Sequence, residues 1–111
     1  MRAIVAVTLI LLATGSGFAA SASGGATASR TVTVSMKNFF FAPKNVSISK
    51  GDRVVWANTS TRKHTATKSG SFNTGRVKPG KAVAVKFNGA GTYRYVCTLH
   101  PEMTGKVIVG G

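Results

Sequence analysis

The stretch Gly91-Thr92-Tyr93-Arg94-Tyr95-Val96-Cys97-Thr98-Leu99-His100-Pro101-Glu102-Met103 decides the reading of this chain. Its first half alternates: Tyr93, Tyr95 and Cys97 share one parity, Arg94 and Val96 the other. That is the period-two signature of a half-buried strand. Its second half holds the only cysteine, one of two histidines and one of three methionines. Two residues separate Cys97 from His100, and two more separate His100 from Met103. A tight loop after the strand can point all three side chains at one centre. Pro101 stiffens that loop, and Gly105 is expected to allow the sharp exit into a strand over Lys106–Val109.

Outward from this stretch, the same alternation recurs. Val32, Val34 and Met36 alternate with Thr31, Thr33 and Ser35. Val46 and Ile48 follow, then Val54 and Trp56, then Val83, Val85 and Phe87, then Val107 and Val109. Turn signals lie between them at Lys50-Gly51-Asp52, Pro79-Gly80 and Asn88-Gly89-Ala90-Gly91. No window has a helical period. The expectation is an all-β sandwich of about seven to eight strands. Arg62 to Asn73 is irregular and is read as a strand end followed by a long loop, with Phe72 pinning it to the core.

The 111 residues allow one domain. Arg2, the apolar run Ala3–Ala13 and the small residues at Ala20-Ser21-Ala22 read as a secretory signal over 1–22, expected to be cleaved. Residues 23–30 form a flexible lead-in, and 31–111 the folded domain. Export to the periplasm or the extracellular face follows. Membrane attachment is expected only if the leader stays uncleaved. So small a domain commonly needs a staple. A single cysteine cannot form an internal disulfide, so a bound metal is the natural substitute.

His64, Cys97, His100 and Met103 supply two imidazoles, a thiolate and a thioether. This donor set suits copper in both oxidation states. Zinc fits less well, because methionine is not among its usual ligands. With three strong donors, one weak one and no open position, the expected role is single-electron carriage. Copper storage or delivery would use the same donors.

The formal charge is +13, with Asp52 and Glu102 the only acids. An acidic redox partner is expected, docking near Arg62, Lys63 and Lys68, with the protein itself a monomer. Specific nucleic-acid binding is not expected. The basic residues are scattered singly apart from Arg62-Lys63, and no aromatic-basic recognition motif occurs.

Several motifs together resemble the cupredoxins, specifically the plastocyanin/amicyanin-like group. They are Phe41-Ala-Pro43, Gly51-Asp52-Arg53-Val54-Val55-Trp56-Ala57-Asn58, His64-Thr65-Ala66-Thr67, Phe72-Asn73-Thr74-Gly75, Val77-Lys78-Pro79-Gly80, Gly91–Cys97, His100-Pro101-x-Met103 and Gly105–Val109. The short Cys-x2-His-x2-Met loop is the amicyanin-like form. The resemblance implies a Greek-key β-sandwich with one type 1 copper ion near one end. His64, Cys97 and His100 would be the strong ligands and Met103 the long axial one. His100 would be the electron port, within an apolar patch that includes Leu99 and Pro101, and would protonate and leave reduced copper at acidic pH. The chain departs from the pattern in two places. Thr65 stands where many relatives have Asn, and the surface is strongly basic where many carry acidic patches.

Overall fold

The computed structural model describes residues 28–111. The leader over 1–22 and the first part of the lead-in lie outside the described residues. Nine strands run through the described part: β1 (Thr31–Met36), β2 (Phe41–Ala42), β3 (Asn45–Ser49), β4 (Arg53–Asn58), β5 (Thr67–Lys68), β6 (Phe72–Asn73), β7 (Ala82–Lys86), β8 (Gly91–Cys97) and β9 (His100–Gly110). They form two sheets, ordered β3-β9-β8-β5-β6 and β2-β1-β4-β7. Pairs β1–β4 and β3–β9 are parallel, and the other strand pairs are antiparallel. The all-β sandwich expected from the alternation is present.

The alternation becomes burial. Val34 and Met36 of β1, Val54 and Trp56 of β4, Tyr95 and Cys97 of β8, and Val107 and Val109 of β9 point into one core. Trp56 is its centre. Phe72 stacks on it at 5.2 Å and Tyr95 meets it edge-on at 5.2 Å, both favourable aromatic geometries. Phe72 therefore pins its segment to the core as expected.

Three details differ from the sequence reading. The count is nine strands where about seven to eight were expected, because β2, β5 and β6 are two-residue strands too short to show a period. The irregular 62–73 segment contains the β5–β6 hairpin, in register Thr67↔Asn73 and Lys68↔Phe72. The last strand starts at His100, with a register shift between His100 and Thr104. Gly105 thus lies inside β9 and makes no sharp exit. It faces Tyr95 across the ladder, and a Cβ there would run into the Tyr95 ring and hydroxyl. The glycine is needed because a phenol lies over its backbone.

Two buried polar side chains organise the loops. Asp52 accepts the backbone N–H groups of Arg30 (2.8 Å) and Ser49 (2.9 Å), tying the start of β1 to the β3–β4 turn. Asn58 donates through Nδ2 to the carbonyls of Arg62 (2.6 Å) and Val77 (2.8 Å) and accepts from Ser60. The backbones of His64 and Val77 exchange hydrogen bonds in an isolated bridge. Asn58 and this bridge fix where His64 enters the sandwich.

Candidate metal centre

Cys97 ends β8 with its side chain inward and wholly buried. The backbone N–H of Thr65 donates to its Sγ at 3.3 Å.

His64, also fully buried, faces the same sulfur through Nδ1 at 3.8 Å. Its other nitrogen, Nε2, lies 3.1 Å from Asn38 Oδ1. Asn38 Nδ2 in turn donates to Thr61 Oγ1 at 2.9 Å. Oδ1 can only accept, so Nε2 carries the ring proton and Nδ1 presents a bare lone pair toward Cys97. The ring is held neutral. Burial, then the nearby positive potential of His100 and Arg62, push its pKa below the usual imidazole range.

His100 opposes Cys97 in the β8–β9 register. Its ring lies 5.1 Å from the His64 ring, centroid to centroid, and it is half-buried where His64 is sealed. Met103 is buried in the same core cluster as Cys97. The four predicted residues thus converge on one end of the sandwich from β8, β9 and the bridge before β5. Among the described residues, no three His, Cys, Asp or Glu side chains form a metal-holding group by themselves.

The donors fit a metal ion. With metal–sulfur and metal–nitrogen bonds of about 2.3 and 2.1 Å, two ligands at a trigonal angle stand about 3.8 Å apart. The Cys97–His64 separation is 3.8 Å. A thiolate, imidazoles and a thioether in a sealed apolar end match the soft-to-borderline demands of copper.

The surroundings contain residues that the sequence reading did not single out. Asn38 orients His64. Phe39, 43% exposed, lies 4.7 Å from the His100 ring and 6.1 Å from that of His64. The Arg62 guanidinium sits 5.9 Å from its centroid. The signal was the run Phe39-Phe40-Phe41, of which only Phe41 turns inward. Of the predicted patch, Pro101 is exposed and Leu99 packs partly on the core. Thr65 joins the segment of His64 to that of Cys97: its Oγ1 accepts the Thr98 N–H at 2.9 Å and the Thr67 hydroxyl at 3.1 Å.

A cupredoxin-like domain model matches residues 2–109. Amicyanin-alpha of Methylorubrum extorquens is 39% identical over 75 residues, covering 62% of this chain and 63% of its own length. Amicyanin of Paracoccus versutus is 37% identical over 84 residues, covering 70% and 64%. The chain thus spans just under two thirds of the length of these curated relatives. The crystal structure of Paracoccus versutus amicyanin superposes with a TM-score of 0.66 at 35% identity, covering 72% of this chain and 81% of that one. A copper-containing nitrite reductase from Thermus scotoductus is similar over 22% of its length, with a TM-score of 0.66 at 28% identity. The sandwich, the converging donors and a family match over nearly the whole chain agree, and this protein belongs to the cupredoxin-like family.

Proposed function

We propose that this chain is an exported type 1 copper protein that passes single electrons between redox partners, with copper held by His64, Cys97, His100 and Met103. The observation that carries the reading is the buried Cys97–His64 pair, with the bare Nδ1 facing the sulfur and the Thr65 N–H on the same sulfur. Bound there, copper supplies a one-electron couple between Cu(II) and Cu(I).

The chain's own residues keep that couple from needing much rearrangement. Asn38 fixes the His64 ring, Thr65 fixes the sulfur, and Thr65–Thr98 contacts hold the two donor loops at constant separation. Outer contacts of this kind orient ligands and tune a site. Carriage rather than substrate turnover is supported by the burial of His64, Cys97 and Met103. Neither of the two surface grooves described is lined by any of the four donors. His100, half-buried against the exposed ring of Phe39, is the proposed electron port. Arg62, whose guanidinium lies over Phe39, and its exposed chain neighbour Lys63 are proposed to meet an acidic partner. The similarity to amicyanins, one of whose solved forms holds Cu(I), supports the same metal.

Loading the purified protein with Cu(II) should produce an intense blue colour that bleaches reversibly on reduction, and Cys97→Ser should abolish it. A colourless copper complex of the unaltered protein would refute the proposal.

A further inference from the structure

A groove of about 740 Å³ crosses the outer face of the five-stranded sheet. Lys44, Lys68, Arg94 and Lys106 line it, and neither of the chain's two acids does. Arg94, Val96 and Thr98 point outward here because their neighbours Tyr95 and Cys97 point inward. Lys106 stands directly opposite Arg94 in the ladder and beside Asn45 on the far strand. Adjacent strands lie about 4.8 Å apart, so the two cations sit side by side. Like charges in such a position destabilise a sheet unless an opposite charge covers them. The floor beside them, at Val96 and Thr104, is mostly apolar.

We propose that this groove docks an extended acidic polypeptide segment of a partner protein. The row of cations supplies charge complementarity, and the volume lies within the range of ligand-holding clefts. A mostly apolar floor edged by cations suits side chains alternating between carboxylate and hydrocarbon better than bare phosphate. The lining offers no exposed aromatic ring on which a nucleobase would stack, as single-stranded nucleic acid requires. The wall includes Thr67 and Thr98, whose groups bond Thr65 beside the Cys97 sulfur. A docked segment therefore lies one residue from Cys97, in a groove that His100 does not line. The docking serves the electron-carrier reading but does not depend on it.

The other sheet provides an internal control. Arg53 and Lys86 form the same kind of facing pair there, and neither lines a groove. The test is a fluorescence-anisotropy titration of the copper-loaded full chain with a labelled Glu-Val alternating peptide of about eight residues, enough at about 3.4 Å each to cross the sheet. Binding should weaken roughly tenfold in R94Q/K106Q and by less than about twofold in R53Q/K86Q. K68Q, altered alone, should weaken it measurably. Inorganic phosphate or a single-stranded oligonucleotide of equal charge should compete only weakly. Equal loss in both double variants would reduce the effect to net charge and overturn the proposal. So would no binding, or an oligonucleotide that binds more tightly with the same dependence on Arg94 and Lys106. The readout needs no electron transfer. A colourless protein that still binds the peptide would sink the carrier reading alone, and a blue protein that ignores the peptide would sink the groove alone.

Discussion

Gly105 shows how one ring can dictate a neighbour. The Tyr95 phenol lies over the β9 backbone, and its hydroxyl is buried without a hydrogen-bond partner. Burial pushes the Tyr95 pKa up to about 12, against a smaller lowering from the Trp56 indole. Gly105→Ala would force a methyl into that ring. Overpacking of this kind costs about 1–3 kcal/mol, which a shifted urea midpoint with unchanged slope would report. Thr65 acts by the opposite means, through what it accepts. Thr65→Ala removes the only recorded acceptor for the Thr98 N–H and should destabilise by about 1–3 kcal/mol. Thr65→Ser, which keeps the hydroxyl, should recover most of that loss in the same denaturation experiment. That Thr65 departs from the family pattern was legible in the sequence. Asn38 was not, since nothing local links it to a histidine 26 residues away.

At the scale of elements, long strands were legible and short ones were not. β1, β3, β4, β7 and β8 each carry enough residues for parity to show. β5 and β6 have two residues each, too few for a period, and pair as a local hairpin. The hairpin they form is held from below by Phe72 on Trp56 and from the side by the Ala66 N–H donating to Thr74 Oγ1. Phe72→Ala should cost about 2–3 kcal/mol, near or below the low end for buried phenylalanine because the ring is only half-buried. The local effect should exceed the global one. Limited proteolysis should cut near 66–76 in the variant under conditions that leave the unaltered protein intact.

The whole molecule is governed by its charge imbalance. Fifteen cations face two acids, and among the described residues the one ion pair is Arg30–Asp52 at 3.6 Å. The pair itself is half solvated and adds little. The backbone N–H groups of Arg30 and Ser49 matter more, and together with the Arg30 charge they hold the Asp52 pKa below its ordinary value of 3.8. A depressed carboxylate pKa stabilises the fold above the ordinary value, and that contribution fades as pH falls through 3.8 and then through the folded pKa. Melting temperature should therefore drop as pH is lowered through this range. Asp52→Asn should lower it at neutral pH and flatten the acid limb, and an acid limb as steep as that of the unaltered protein would count against this role. The same imbalance leaves the groove on the five-stranded sheet without an internal counter-charge, so its occupant has to come from outside.

Composition and order along the chain determined the candidate donors, the strand parity that turns Cys97 inward, and the all-β sandwich. These depend on residue identity and on a period of two, both local properties. Tertiary structure alone decided which nitrogen of His64 faces the sulfur, because that follows from Asn38 across 26 residues. It also decided that the Thr65 N–H, 32 residues before Cys97, meets its sulfur, and that four scattered cations share one groove. Hydrogen-bond direction and charge clustering depend on where distant backbones come to lie, and no local period encodes that.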